Sequence, residues 1–264
     1  MANYTIQYWD GDDIDLEYDD AKHTYMVGDR KVPSVTRVVD AVFPKYLVDW
    51  AAACGADWWR ENREDVLYEY SIEEVCEGIR YAHKEISKAA QDIGSDVHRW
   101  IELYIKGKMI GVEVETDYPE KVKVPMQNFH KWADAHDIEW ESCEEKIYSR
   151  NWEYAGTVDA VGLVANKLVV FDWKTSSGIY DEAGYQVAAY CNSIWKGNKQ
   201  LADIYGSISG AVVRLSKTDD EFEVKTITDW ERPSVVFNTM CSLYTQLSYP
   251  VFDKKARKKK VANA

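Results

Sequence analysis

The chain has 264 residues, 46% of them hydrophobic and 29% charged, with a formal net charge of −13. That is enough apolar material for one large core or two small ones. A net charge of this sign argues against a nonspecific phosphate binder, whose affinity comes from Lys and Arg, and no apolar run approaches the ~18 residues of a membrane span.

The charge is unevenly spread. The first 21 residues hold seven acids and no Lys or Arg, whereas KKARKKK at 254–260 is basic at six of its seven positions, so an acidic total can still contain a basic groove. MANYTIQYWDGDD lacks the basic and apolar regions of a signal peptide, which predicts a cytoplasmic protein. Cys54, Cys76, Cys143, Cys191 and Cys241 form no CxxC and no regular spacing, which argues against a zinc ribbon or a disulfide framework and for reduced thiols.

In chain order, HTYMVGDRKV at 23–32 predicts a hairpin turning at Gly28-Asp29. Ser34 follows as a cap for a helix beginning at Val35. From about 45 to 107 the pattern is helical, with Gly94-Ser95 a break or cap inside it and Gly107 at its end. Val97, Trp100, Ile101, Tyr104 and Ile105 keep the spacing of a buried stripe. Residues 112–125 read as an acidic loop and 126–138 as a helix. Segments 144–149, 154–165 and 167–176 are rich in Val, Ile, Tyr, Trp and Thr and predict a three-stranded meander. A helix over 181–196 with Asp181 as N-cap comes next, then strands over 204–216 and 221–228, then a closing helix over 231–248. The expected division is an N-terminal hairpin and helical elaboration over 1–93, an α/β core over 94–250 and a basic, disordered tail over 251–264.

The stretch FDWKTSSG places Asp172 and Lys174 two apart on one strand, hence on one face. If the connection at Ala165-Asn166 is tight, Asp159 of the preceding strand is the mirror position of Asp172, and their Cβ atoms lie about 5 Å apart. Carboxylates that close repel unless a cation sits between them or one is protonated. Two acids with a lysine beside them suit a hard divalent ion, which takes one or two carboxylates and keeps several waters. Such an ion activates water and clamps a phosphate oxygen. An ordinary structural Asp–Lys pair is the competing account. On the helix before, His98 and Glu102 share a face at i, i+4, and Gln186 and Tyr190 repeat that spacing on the helix after.

In this order the blocks GSDVH, GTVD, DWK and QVAAY resemble the RecB-like branch of the PD-(D/E)xK nuclease superfamily over residues 94–216. HTYMVGDRKVPSVTRVVDAVFP is similar to the N-terminal element of phage-type and mitochondrial-maintenance-type exonucleases of that branch. The resemblance implies a restriction-endonuclease-like fold, a mixed central sheet flanked by helices, with a helical N-terminal elaboration. It implies Mg²⁺ or Mn²⁺ held by His98, Asp159, Asp172, the backbone carbonyl of Trp173 and, less directly, Glu102. Lys174 would position the attacking water, Gln186 and Tyr190 would brace the site and touch DNA, Thr175 and Ser176 would reach a phosphate, and Glu145 would support from the strand before Asp159. The clustered Cys of the branch's iron–sulfur members are missing, and GxxxxGK[ST] is absent, so neither a cluster nor a nucleotide cofactor is expected.

The function implied is a metal-dependent DNA nuclease, an exonuclease on single-stranded or end-containing DNA in phage or bacterial recombination, repair or replication. Its partners would be DNA and single-strand annealing or replication proteins, with no membrane. Trp58-Trp59, Trp100, Trp132 and Trp152 are either core or platforms for bases, and the helical region before His98 could arch over the cleft. A structure-specific endonuclease of the same fold, a non-cleaving DNA-binding module, and a glycoside hydrolase with carboxyls about 5 Å apart remain alternatives.

Overall fold

The computed structural model describes residues 1–8, 10–43, 47–114, 116–198 and 200–248; the basic run at 254–260 lies outside them. The chain opens with a four-stranded antiparallel meander, β1 (Ala2–Ile6), β2 (Ile14–Asp19), β3 (Thr24–Val27) and β4 (Arg30–Val32), in that spatial order. The β3–β4 turn falls at Gly28-Asp29, as expected, with Gly28 at φ +56°. Strands β1 and β2 were not anticipated. Leu16, Tyr25 and Val32 form this sheet's core and pack onto Tyr148 and Ala155 of the central body. Arg150 fastens the loop after β1: its guanidinium lies 3.8 Å from the Tyr8 ring centroid and pairs with Asp10 and Asp12 at 2.7 and 3.0 Å.

Ser34 caps α1 (Val35–Val42), accepting the Arg37 N–H. Then follow α2 (Val48–Glu61), α3 (Arg63–Tyr68) and α4 (Ile72–Ile110). Helix α4 starts with a reciprocal capping box between Ser71 and Glu74 and stops at Gly111, which is left-handed at φ +70°. It runs unbroken through Gly94-Ser95 and past Gly107, so neither interrupts it and the 93/94 boundary falls inside a helix. Gly94 is small because Thr175 lies beside it: a Cβ there would sit 3.2 Å from the Thr175 hydroxyl. Helix α5 (Glu120–Asp134) begins six residues before the expected start and carries Pro125 within it.

The central sheet holds β5 (Ile138–Ser149), β6 (Tyr154–Val164), β7 (Lys167–Lys174), β8 (Ile208–Leu215) and β9 (Phe222–Ile227) in sequence order. Only β7 and β8 run parallel, and the crossover between them carries α6 (Asp181–Gly197) and the unanticipated α7 (Gln200–Tyr205). Asp181 is the first residue of α6, not its cap; the cap is Tyr180, with no side-chain bond. Helix α8 (Glu231–Leu247) closes the described chain.

Side chains alternate across a strand, so β7 serves two cores. Leu168 and Val170 pack under α1, α6 and α8. Val169, Phe171 and Trp173 pack under α4 and α5, with Val97, Ile101 and Ile105 of the expected stripe. The fold is thus a mixed α/β sandwich, a five-stranded mixed sheet flanked by helices. All five cysteines are free, and no helix among the described residues is long and apolar enough to cross a membrane.

Helix α6 reaches β8 through Gly210, where an added Cβ would lie 2.1 Å from Val187 Cγ1 and 3.3 Å from Cys191 Sγ. Gly210→Ala should therefore cost about 1–3 kcal/mol through overpacking. The measurement is a lowered urea midpoint at unchanged m-value; an unshifted midpoint would refute the tight contact.

Candidate active site

The β6–β7 connection is a two-residue turn with Ala165 at φ +50° and Asn166 at φ +62°, a left-handed pair that matches strand twist. It sets the register Val164–Lys167 through Ala160–Phe171. The ladder ends at Ala160–Phe171, one residue short of Asp159 and Asp172, the positions matched by the mirror count. One strand further, Glu144 lies between the Cys143–Ala160 and Glu145–Val158 pairs and so opposes Asp159. Three acids, from β5, β6 and β7, thus line one cleft.

These acids line a cleft of about 650 Å³ together with His98 of α4, Lys174 of β7, and Gln186 and Tyr190 of α6. Asp172 is 1% exposed, and its Oδ2 accepts no hydrogen bond. The Lys174 ammonium is 2.7 Å from that oxygen, an ion contact outside hydrogen-bond alignment. Lys174 Nζ also donates to Gln186 Oε1 at 3.3 Å, and Gln186 Nε2 donates to the Tyr190 hydroxyl at 2.9 Å. Asp159 Oδ2 accepts the Trp173 N–H at 2.8 Å. His98 Nδ1 lies 3.5 Å from Asp159 Oδ2, and Nε2 lies 3.0 Å from the Trp173 carbonyl oxygen. A carbonyl only accepts, so Nε2 carries a proton.

The titration behaviour follows from this packing. Burial pushes the Asp172 carboxyl up to about 6, with the Asp159 charge adding to the rise and Lys174 opposing it. Burial works the same way on Asp159, but the neighbouring His98, Lys174 and the Trp173 N–H outweigh it and hold the carboxyl below its ordinary value. Burial lowers the affinity of His98 and Lys174 for protons, yet the adjacent carboxylates win and raise both. Two neighbouring acids pushed in opposite directions are a common mark of a working site, although structural ion pairs also produce it.

Of the residues singled out by sequence, the cleft gathers His98, Asp159, Asp172, Lys174, Gln186 and Tyr190. It does not gather the rest. Glu102 turns to Lys106 one helical turn on. Ser176 folds back onto the Gly178 carbonyl at 2.8 Å, and Thr175 sits against Gly94. Glu145 accepts from the Ser142 hydroxyl, whereas Glu144, at φ +52°, lines the cleft. Burial first, then repulsion from Asp159, raises the Glu144 carboxyl. The mirror count that finds Asp172 would have found Glu144 if applied to the 150–153 turn. Sequence reasoning also missed the opposite wall, where Tyr18, Asp20, His23 and Tyr25 of the N-terminal sheet and Arg37 and Asp40 of α1 line the cleft. Trp132 is core at 2% exposure. Trp58 stacks on Tyr70, and Trp100 meets Tyr118 edge-on. Among the described residues, none of those lining the cleft comes from α2 or α3. A second cavity of about 660 Å³, between β1 and β5, shares only Glu144 with the cleft.

No protein-family model and no curated protein matches this chain. Among solved structures it is similar to SSO0001, at 16% identity and a TM-score of 0.35, over 88% of this chain and 84% of that one. It is also similar to an alkaline exonuclease, LHK-Exo, from Laribacter hongkongensis, at 13% identity and a TM-score of 0.34, over 62% of this chain and 84% of that one. At such scores neither likeness bears on the chemistry, which rests on the residues themselves.

Among the described residues no group of three or more His, Cys, Asp or Glu side chains is placed to hold a metal ion. The donor set nevertheless fits a hard divalent cation. The Asp172 carboxylate in contact with Lys174, the Asp159 carboxylate and the Trp173 carbonyl that His98 faces are oxygen donors of the type such an ion takes, and it completes its shell with water.

Because the Asp172 carboxyl is raised from its ordinary 3.8 to about 6, its contribution to stability is present below the lower value and lost as pH rises through the upper one. Lys174→Met removes the cation that limits this loss. It should destabilise the fold by on the order of 3 kcal/mol at pH 8, the scale of a buried pair stripped of one partner, and by much less at pH 5, where Asp172 is protonated. Urea midpoints at the two pH values report the difference; equal losses would show that Lys174 does not stabilise the Asp172 charge.

Proposed function

We propose that this chain is a divalent-metal-dependent nuclease that hydrolyses DNA phosphodiester bonds, of the RecB-like PD-(D/E)xK kind. The observation that carries the reading is the convergence in one cleft of Asp159, Asp172 and Lys174 from adjacent strands with His98 and Gln186 from flanking helices. Asp159, Asp172 and the Trp173 carbonyl would hold Mg²⁺ or Mn²⁺, with His98 beside Asp159. Bound there, the ion would supply an acidified water and polarise a phosphoryl oxygen.

The chain's own groups do the rest. The Gln186 amide oxygen steadies the Lys174 ammonium at the mouth of the strand pair, where it can orient water and offset charge growing on the phosphate oxygens. Tyr190, which burial keeps protonated far above neutral pH, in turn holds Gln186. Gly156 lets the Tyr190 ring come close, since a Cβ there would sit 2.8 Å from Cε1. A glycoside hydrolase would have no use for an ammonium seated on one of its two carboxylates, which favours the phosphodiester reading. Action as an exonuclease on single-stranded or end-bearing DNA, in recombination, repair or replication within the cytoplasm, is the finer form of the proposal. Annealing or replication proteins are its natural partners.

End-labelled linear and circular DNA, single- and double-stranded, incubated with Mg²⁺ or Mn²⁺, tests this directly. Linear DNA should be degraded, EDTA should stop the reaction, and circles should survive if the enzyme needs an end. Lys174→Met, assayed where it is folded, should cut at least ~100-fold more slowly, the scale of a lost charge-stabilising group, while still taking up Mn²⁺. Cleavage indifferent to EDTA would sink the metal role, and an equally fast Lys174→Met would sink the role given to the lysine.

A further inference from the structure

Helices α2 and α3 and the first half of α4 stand apart from both sheets. The principal neighbours of α2 are α3 and α4. Where α2 and α4 meet, the residues are small. A Cβ on Gly55 would lie 2.8 Å from the Ile79 carbonyl oxygen, and one on Gly78 would lie 2.1 Å from the Trp58 ring. Cys54 and Ala82 are the buried apolar side chains of the pair. Large apolar groups occupy the outside instead: Val48, Trp59, Leu67, Tyr68, Ile72 and Ile86 are 77%, 44%, 69%, 86%, 79% and 50% exposed. A soluble pair of helices normally turns such residues toward a third layer, and among the described residues no such layer covers this one.

The richest part is the tip, where Leu67, Tyr68 and Ile72 lie within six residues of chain. Their surroundings are acidic. Residues 61–77 hold seven Asp and Glu against one base, Arg63. That rim repels DNA phosphates, whose binding needs Lys and Arg, and repels the anionic lipids of a cytoplasmic leaflet. It attracts a polypeptide that carries basic residues around apolar anchors. An exposed apolar patch with a polar rim is the form of a protein interaction site.

We propose that the α2–α3–α4 tip docks a basic, amphipathic segment of another protein, through Leu67, Tyr68 and Ile72 at the centre and the surrounding carboxylates at the edge. The site is separate from the cleft, to which α2 and α3 contribute no lining residue, so the inference stands whether or not the chain cleaves DNA.

The probe is a fluorescent peptide of about 18 residues, Leu and Lys in helical amphipathic order, followed by anisotropy with the full chain. An oligothymidylate is measured in parallel. The peptide should bind, with affinity falling about tenfold or more between ~50 and ~300 mM salt as rim charges are screened. The triple variant Leu67→Ser, Tyr68→Ser, Ile72→Ser should weaken it by about tenfold or more, at unchanged helix content and oligothymidylate affinity. Because these side chains are exposed, the variant should fold; replacing Glu64, Glu69 and Glu73 with Gln tests the rim separately and should remove most of the salt dependence. No peptide binding, or binding that the triple variant leaves intact, overturns the proposal. Loss of oligothymidylate binding in the triple variant would place nucleic acid on the tip instead and overturn it equally.

Discussion

A carboxylate that is 1% exposed and accepts no hydrogen bond at one of its oxygens is tolerable only with positive charge beside it. The rest of this structure is arranged around that need at Asp172. Strand β7 runs through the middle of the sheet, covered on both faces, so a polar group at its end has little access to water. Lys174 reaches the same face because side chains repeat every two residues. The left-handed turn at Ala165-Asn166 brings Asp159 opposite, which adds a second negative charge to the same small volume. The result is two carboxylates, an ammonium and an imidazole crowded into one cleft.

The N-terminal 43 residues complete the cleft rather than merely precede it. The four-stranded sheet is attached at several points: the Pro33 carbonyl accepts the Ala155 N–H at 3.0 Å, the Tyr25 and Thr157 hydroxyls meet at 2.6 Å, and Arg150 grips the acidic loop after β1. These contacts bring Tyr18, His23 and Arg37 over the acids of β6 and β7. Much of the acidity of the first 21 residues is thereby exposed surface, but Asp10 and Asp12 are spent on holding the wall in place.

How far the sequence could be read varied with the kind of signal. Register was legible because a period of two and a two-residue turn leave one answer, and the meander, the α1 cap and the Val97–Ile101–Ile105 stripe followed from equally local rules. Strand β2 was hidden by its acids, although Ile14-Asp15-Leu16-Glu17-Tyr18 alternates as a half-buried strand should. Glycine at 94 and 107 reads as a helix breaker, whereas here each is small to admit a neighbour, Thr175 or Val114; that reason is tertiary and leaves no local trace. Glu102 has the right spacing from His98, but it also has Lys106 four residues on, and the nearer ion pair won. Glu144 faces the cleft only through a left-handed backbone that no propensity announces for Glu. The direction in which the helical hairpin projects is likewise absent from any periodicity.

Helix α4 spans 39 residues, roughly 58 Å at 1.5 Å per residue, without a kink-forming proline. Its outer limb frames the projecting tip, and its inner limb carries His98 into the cleft wall. One continuous helix thus reaches from the capping box at Ser71 to the imidazole beside Asp159.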